Sequence, residues 1–304
     1  MANYFEIKNL KCSYECKATQ PKVVLQADEL NIPKGEVVFI VGKSGCGKST
    51  ILETLGLMNN TILSADIFRI FPEEGKEIDV TKVWRQKNSV LSDIRKRYFS
   101  FIFQQTNLMQ NFSIRENAII PQLIKGGDKE YNDTLSQVGL EQILNENKQN
   151  VGELSGGQQQ RLAFVRAFMP NFNIIFGDEP TGNLDPENAD NLMKIVAAEI
   201  HKSAGKTAII VSHSPELSVK YADRIIIIHK EEGVVKNENN VIARASARSN
   251  PLEQNNLDCF TSLAMTENSF GKIDSDGIYE KRNGKWFHNE TGISDEELYT
   301  IIIQ

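Results

Sequence analysis

Cysteine is scarce in this sequence, and its scarcity excludes a class of fold. The 304 residues include four cysteines, Cys12, Cys16, Cys46 and Cys259, too few and too scattered for a disulfide framework. Cys12 and Cys16 have no matching second pair, and the four histidines are dispersed along the chain, so the pattern speaks against a zinc site. We therefore expect reduced thiols and no structural zinc.

Long apolar runs and an excess of basic charge are also missing. The longest apolar runs, such as residues 225–228, are far shorter than the ~20 residues that a membrane-spanning helix needs. The first residues lack the apolar segment of a secretory signal, so we expect a cytoplasmic chain that does not cross a membrane. Lys and Arg number 34 against 40 Asp and Glu, a net charge of −6, and no nucleic-acid partner is expected.

The middle of the chain alternates apolar strand candidates with helical segments. Strands are predicted at 35–41, 173–179, 207–212 and 224–230, and helices at 158–169 and near 187–202. This alternation predicts an α/β fold in which helices cover a mainly parallel sheet. The alternation of apolar and polar residues in 1–34 predicts an antiparallel β subdomain. The amphipathic sequence of residues 112–150 predicts a helical insertion.

The composition changes beyond residue 237, where Asn-rich and Ser-rich text begins. Asn283-Gly284 between two β-prone runs is a hairpin signal. We therefore divide the chain into a domain at 1–236, with its helical insertion at about 106–168, and a small C-terminal α+β appendage at 237–304 whose role the sequence does not give.

The text "GKSGCGKST" follows the first apolar strand and precedes a helix. It fits G-x-x-x-x-G-K-[ST], in which glycines turn backbone N–H groups toward phosphate at a helix start. The motif predicts that ATP or GTP is bound, with Lys48 bridging the β and γ phosphates and the Ser49 hydroxyl on Mg²⁺. The alternative is a glycine-rich turn with a solvated lysine, which the flanking strand and helix disfavour. The predicted nucleotide contacts are Gly42, Lys43, Ser44, Gly45, Cys46, Gly47, Lys48, Ser49 and Thr50.

Two neighbouring carboxylates, Asp178 and Glu179, end the apolar run "IIFGDE". Because the chain turns as it leaves a strand, consecutive carboxylates can take different tasks: Asp178 on Mg²⁺ and Glu179 polarising the attacking water. The alternative is an acidic loop start at a sheet edge. Together with the glycine loop, the pair favours phosphoryl-transfer chemistry.

The text "LSGGQQQR" at 154–161 resembles the signature sequence of ATP-binding-cassette (ABC) ATPases. The residues themselves predict a helix with Ser155 as its N-cap. The resemblance further implies that Ser155, Gly156, Gly157 and Gln158 face the γ-phosphate held by the other subunit of a dimer, so that one chain provides two half-sites.

Other segments resemble the same family in the same order. Gln104 in "FIFQQTNL" resembles the glutamine that reaches Mg²⁺ and water, with Gln105 as a competitor for that role. "GNLD" resembles the D-loop, which puts Asp185 across the dimer, and His213 in "IIVSHS" resembles the switch histidine on the γ-phosphate. Tyr14 stands where the family has an aromatic ring that stacks on adenine.

The resemblance, over roughly residues 4–236, implies a catalytic set and a metal site. The catalytic residues are Glu179, His213, Gln104 and Lys48, and the Mg²⁺ ligands are Ser49, Gln104 and Asp178. It implies a homodimer that closes on two Mg-ATP and moves an integral membrane permease, which would hold the chain on the inner face of the membrane.

"GDEPTGNLDP", "LSDIRKR" and "FSIRENAIIPQL" are similar to the subfamily that serves lipoprotein release, macrolide export, peptide-antibiotic resistance and cell division. The cargo does not follow from this. The permease would dock in a groove for which the candidates are Phe101, Phe103, Leu108, Met109 and Phe112, several of which the alternative assigns to the core.

Two rival functions remain at this point. A soluble ABC ATPase of translation or DNA repair would carry paired cassettes or long coiled coils, and neither is found in the sequence. A small-molecule kinase with a phosphate loop would have no use for "LSGGQ".

Overall fold

The computed structural model describes residues 2–14, 22–85, 88–145, 150–203, 205–232 and 269–303. Cys16 and Cys259 lie outside these ranges, as do residues 237–268 of the predicted appendage. No helix within the described ranges combines the length and apolarity needed to cross a membrane. Within the same ranges, no three His, Cys, Asp or Glu side chains gather as a metal-binding group.

The described residues form both strands and helices, which are numbered along the chain. The strands are β1 (Asn3–Tyr14), β2 (Lys22–Pro33), β3 (Val37–Gly42), β4 (Ile62–Ser64), β5 (Ile67–Glu73), β6 (Lys76–Asp79), β7 (Phe99–Ile102), β8 (Ile174–Asp178), β9 (Thr207–Val211), β10 (Arg224–Glu232), β11 (Ser269–Ile273), β12 (Ile278–Arg282), β13 (Lys285–His288) and β14 (Thr291–Ile293). The helices are α1 (Lys48–Leu55), α2 (Val80–Val83), α3 (Asn88–Tyr98), α4 (Ile114–Lys125), α5 (Tyr131–Gln137), α6 (Glu141–Asn145), α7 (Gly156–Phe168), α8 (Pro186–Lys202), α9 (Pro215–Tyr221) and α10 (Asp295–Ile303).

A parallel sheet forms the centre, in the order β10-β3-β9-β8-β7. Its strands are apolar on both faces because helices cover both, which is why they read as continuous hydrophobic runs. Along β3, Val37, Phe39 and Val41 belong to one core, and Val38 and Ile40 belong to the other. This period of two fixes which side chains meet each helical layer. The predicted α/β class is confirmed.

An antiparallel sheet lies beside the parallel one. β1 pairs with β2 and β5, and β5 pairs with β6, all antiparallel. The predicted antiparallel subdomain is therefore confirmed. Ile51, Leu52 and Leu55 of α1 are buried in the core that this sheet shares with one face of the parallel sheet. The helix that carries the glycine loop is thus anchored from both sheets.

The C-terminal strands extend both sheets. β11 pairs in parallel with β2 and antiparallel with β10, while β12 pairs antiparallel with β10. The predicted hairpin is confirmed between β12 and β13, where Asn283 (φ 50°) and Gly284 (φ 77°) take the left-handed conformations that a two-residue turn needs. Trp286 and Leu298 are fully buried in the main core. The division of the chain at residue 236 stays a prediction, and the described tail shares its core with the preceding domain.

The helical insertion contains α4, α5, α6 and α7, and two lysines connect it to the rest of the domain, Lys125 to the sheet and Lys129 to α8. Lys125 Nζ donates to the carbonyl oxygen of Phe99 at the start of β7. Lys129 Nζ donates to Phe168 O at 3.1 Å and lies 3.2 Å from Glu199 Oε1. Burial lowers the pKa of both amino groups to about 8.

The lowered pKa of Lys125 predicts a pH-dependent stability. The unfolded chain keeps the proton up to its ordinary pKa of 10.5, so between about pH 8 and that value it binds more protons than the folded chain. The free energy of unfolding of the wild type should therefore rise with pH relative to Lys125→Met. Urea unfolding at about pH 7.5 and about pH 9.5 measures this difference. An equal difference at both pH values would contradict the burial argument.

Trp286→Ala should destabilise the whole protein, because it leaves a large cavity in the main core. We expect a loss of about 3–5 kcal/mol in the free energy of unfolding. Lys285→Ala, the exposed neighbour in β13, should change it by about 0.5 kcal/mol or less. Both are measured by denaturant unfolding followed by far-UV circular dichroism. If Trp286→Ala shifted only a separate, minor unfolding transition and left the main one unchanged, the tail would fold as an independent unit.

Candidate active site

The glycine loop connects β3 to α1 at the carboxyl end of the parallel sheet. Gly47 (φ 100°) occupies the N-cap position of α1, a left-handed conformation that favours glycine. At Gly42, an added methyl carbon would lie 2.8 Å from Ile228 O. Lys48 Nζ donates to Gly42 O at 2.8 Å and to Lys43 O at 3.1 Å, so the ammonium group folds back over its own loop.

Cys46 differs from the other loop residues, because its side chain is fully buried in the core beneath the loop. Burial raises the pKa of its thiol, which outweighs the lowering by the nearby Lys48 ammonium group. The side chain is therefore an apolar anchor for the loop, and its backbone groups belong to the predicted nucleotide contacts.

Asp178 is the last residue of β8, next to the start of α1. Ser49 Oγ lies 3.5 Å from Asp178 Oδ1. Burial raises the pKa of Asp178, and the carboxylates of Glu179 and Glu53 raise it further. Burial lowers the pKa of Lys48, against the opposing effect of the nearby carboxylates. A hydroxyl and a carboxylate thus lie close together, with the Lys48 ammonium group near the carboxylate.

Glu179 follows Asp178 in a strained turn. Its φ of 46° is left-handed, uncommon for a residue other than glycine, and its N–H donates to Val211 O at 3.0 Å. Its Oε1 lies 2.9 Å from His213 Nε2, and its Oε2 accepts from Gln104 Nε2 at 3.3 Å. Side chains that leave β7, β8 and β9 therefore meet at one carboxylate, and Gln104, the preferred candidate over Gln105, is the glutamine that reaches it.

The signature segment begins α7. Ser155 is the N-cap, as predicted, and its Oγ accepts from Gln158 N at 3.3 Å while Ser155 N donates to Gln158 Oε1 at 2.9 Å. This capping box satisfies two of the N–H groups at the helix start, those of Ser155 and Gln158. Ser155 and Gly156 are exposed, and an added methyl carbon at Gly157 would lie 3.6 Å from Asn183 O. The signature and the D-loop are thus neighbours on one surface.

Asp185 caps α8 on the same surface. Its carboxylate accepts from Asn188 N at 3.0 Å and from Asn188 Nδ2 at 2.6 Å, and these hydrogen bonds lower the pKa of Asp185. The side chain is exposed. An exposed, anionic cap is therefore available to a second molecule.

Tyr14 ends β1 beside the loop helix. Its hydroxyl lies 3.1 Å from Thr50 Oγ1 and donates to Glu53 Oε2 at 3.2 Å. Burial is the main cause that raises the pKa of the phenol to about 12. The side chain is nevertheless 45% exposed, so an aromatic surface next to the glycine loop is open to a flat ligand.

The five groove candidates divide into buried and exposed residues. Phe101 stacks on Phe103 at 5.7 Å and on Phe176 at 5.2 Å between ring centroids, and Leu108 is buried. Met109 is half-buried and Phe112 is 40% exposed. Leu108 belongs to the core, and Phe112 is the most accessible of the set.

Gln160 connects the signature helix to the catalytic turn, and sequence reasoning did not single it out. It is fully buried, and its Nε2 donates to Pro180 O at 2.9 Å and to Phe103 O at 3.4 Å. Its place on the buried face of α7, among apolar residues three or four positions apart, is the signal that could have found it. A buried amide at such a place needs partners.

The chain is similar to known proteins of one family. Residues 25–182, about half of the chain, match the ABC transporter family. The chain is 33% identical over 228 residues to the bacitracin export ATP-binding protein BceA of Halalkalibacterium halodurans, covering 73% of this chain and 84% of that protein. It is 33% identical over 247 residues to the macrolide export ATP-binding/permease protein MacB of Chlorobaculum tepidum, covering 81% of this chain and 35% of that protein.

The solved structures include a dimeric post-hydrolysis state of the ATP-binding cassette MJ0796 bound to ADP and Pi. It is 28% identical, with a TM-score of 0.60, and the match covers 73% of this chain and 93% of that one. The chain spans about a third of the length of the MacB relatives that it matches. The family match and the similarity to BceA together show that this chain belongs to the ABC transporter family of ATP-binding, ATP-hydrolysing proteins.

Proposed function

We propose that the chain hydrolyses ATP as a dimer around two Mg-ATP and thereby drives a separate membrane subunit of an export-type complex. The observation that carries the proposal is the contact of Glu179 with both His213 and Gln104 beside the glycine loop. Three side chains from three strand ends have no need to meet there for the fold alone. Their meeting suits the positioning of one water molecule.

The residues present suit Mg²⁺. Ser49, Asp178 and Gln104 would hold it, since hydroxyl, carboxylate and amide oxygens are the donors that this hard cation prefers. Burial and the neighbouring carboxylates raise the pKa of Asp178, so a cation bound there would stabilise its charged form. When bound, the cation supplies charge neutralisation to the phosphates.

Lys48 and the loop would bind the triphosphate. The ammonium group holds only two backbone carbonyl oxygens of its own loop, and a phosphate oxygen would replace them with a charge-assisted hydrogen bond. The N–H groups at the start of α1 add donors aimed at developing negative charge. Binding therefore needs no rearrangement of the sheet, only a turn of one side chain.

Glu179 would orient and polarise the attacking water, with His213 and Gln104 fixing its carboxylate. The loose transition state of phosphoryl transfer asks for positioning and charge stabilisation more than for covalent chemistry. The left-handed backbone of Glu179, tied to Val211 O, sets the direction from which the carboxylate acts. His213 Nε2, which lies within hydrogen-bond distance of the Glu179 carboxylate, would also reach the γ-phosphate.

The signature surface supports a two-copy site. Ser155 caps α7 and Asp185 caps α8, and both residues are exposed, as is Gly156. This surface is therefore folded without a partner. The start of α7 offers backbone N–H groups to an anion, and Tyr14 offers an aromatic face to adenine. We infer that each nucleotide lies between the glycine loop of one copy and residues 155–158 of the other.

The relatives support a membrane partner. BceA is named an export ATP-binding protein and MacB an export ATP-binding/permease protein, of which the region shared with this chain makes up 35%. We infer that a separate permease docks beside Gln104, with Phe112 and Met109 as contacts, and holds this otherwise cytoplasmic chain on the inner face of the membrane.

Glu179→Gln should bind Mg-ATP, lose at least about 100-fold in hydrolysis rate and accumulate as a closed dimer, because the water is no longer polarised. Size-exclusion chromatography with Mg-ATP and a phosphate-release assay measure both effects. Glu74→Gln, an exposed carboxylate in the β5–β6 hairpin, is the matched control and should behave as the wild type. A Glu179→Gln form that stays monomeric with Mg-ATP would contradict the dimer.

Gln160→Leu should lower the hydrolysis rate by about tenfold or more with little change in the KM for ATP, because Pro180 O loses its donor and the turn that carries Glu179 shifts. The lost hydrogen bond should also cost about 1–3 kcal/mol of unfolding free energy. Gln110→Leu, at an exposed position, is the control for the same chemical change. Equal losses in both variants would sink this role for Gln160.

A further inference from the structure

The glycine loop lies against a strand from the far end of the chain. In β11, Gly271 lies so close to the loop that a methyl carbon added to it would be 1.8 Å from Cys46 O and 2.9 Å from Ile228 Cγ2. No side chain fits in that space without moving the loop or the strand. This contact joins residues 225 positions apart in the sequence, since 271 − 46 = 225.

Three strands together form the seat of the loop. β11 runs between β2 and β10, and Gly271 pairs with Leu25 on one side and with Lys230 on the other. A methyl carbon added to Gly47 would lie 3.2 Å from Leu25 Cδ1, and Gly42 is in similar contact with Ile228. The loop backbone therefore has close contacts beneath its start, its middle and its end.

The Cys46–Gly47 peptide gives this contact a consequence for phosphate binding. In a planar trans peptide the C=O and the following N–H point to opposite sides. Since Cys46 O faces β11, the Gly47 N–H is directed away from β11, toward the open side of the loop. A movement of β11 toward or away from the loop would tilt the Cys46–Gly47 peptide and so change the direction of the Gly47 N–H.

We propose that Gly271 is a positioning residue of the phosphate site: its lack of a side chain lets β11 support the Cys46–Gly47 peptide with its N–H aimed at phosphate. The proposal rests on the proposed role of Gly42–Ser49 as the phosphate loop. It makes β11 part of the nucleotide site, although the predicted boundary at residue 236 excludes this strand.

Three glycine-to-alanine variants separate positioning from general packing. Gly271→Ala should shift β11 and the loop relative to each other. Gly277→Ala creates a comparable backbone clash in the same C-terminal segment, 2.4 Å from Ile227 O, without touching the loop. Gly292→Ala meets no atom closer than 3.8 Å and controls for the substitution itself. Thermal unfolding without nucleotide measures the structural cost, and titration with Mg-ATP and Mg-ADP measures the dissociation constants.

We expect Gly271→Ala to raise both dissociation constants by at least about tenfold, the effect of losing one hydrogen bond to a charged group. Gly277→Ala should lower the melting temperature without that loss of affinity, and Gly292→Ala should match the wild type. Unchanged affinity in Gly271→Ala, or an equal loss in Gly277→Ala, would overturn the proposal.

Hydrogen exchange on the wild type keeps the proposal testable if Gly271→Ala does not fold. Saturating Mg-ADP should slow amide exchange in residues 269–273 along with residues 42–50, while residues 285–293 stay unchanged. Unaltered exchange in 269–273 would overturn the proposal. Lys48→Ala distinguishes this failure from a failure of the proposed function: if that variant loses Mg-ATP binding and the wild type binds, the phosphate loop stands whatever β11 does.

Discussion

The site depends on two neighbouring carboxylates held at the end of a buried strand. Asp178 and Glu179 raise the local negative charge, and burial adds to the cost, as the raised pKa of Asp178 records. The nearest cation, Lys48, is bonded to carbonyl oxygens of its own loop. The sheet holds these charges in place, and a divalent cation at Asp178 would offset the repulsion between the two carboxylates.

The rest of the fold serves to hold these groups at fixed positions. β3, β8 and β9 are neighbours in the parallel sheet, so the glycine loop, the carboxylates and His213 all leave the same edge. Gln104 follows β7 and arrives from the neighbouring strand. Gln160 connects the signature helix to the turn after Glu179. A movement of the helical insertion would therefore change the position of the Glu179 carboxylate.

Local signals in the sequence were enough for much of this. A strand, a glycine loop and a helix in immediate succession predicted β3, the loop and α1, and Asn283-Gly284 predicted the hairpin, because each depends on residues close together in the chain. Ser155 was predictable as a cap for the same reason. The roles of the family motifs could be assigned only by resemblance, since their meeting point lies at the ends of strands far apart in sequence.

The missed features are long-range ones. Gln160 is one of three consecutive glutamines, and only the helix period distinguishes the buried one. Gly271 lies in a segment whose sequence is typical of a strand, and nothing near it in sequence indicates that the glycine loop lies against it. The boundary at 236 followed a change in composition, whereas burial of Trp286 and Leu298 in the main core is decided by packing across the whole domain.

If each copy holds half of a nucleotide site, a crystal structure of the Glu179→Gln form with Mg-ATP will contain a twofold dimer. We expect the γ-phosphate in it to contact Lys48 of one copy and Ser155 of the other. A triphosphate enclosed by one polypeptide, with residues 154–158 facing solvent, would contradict it.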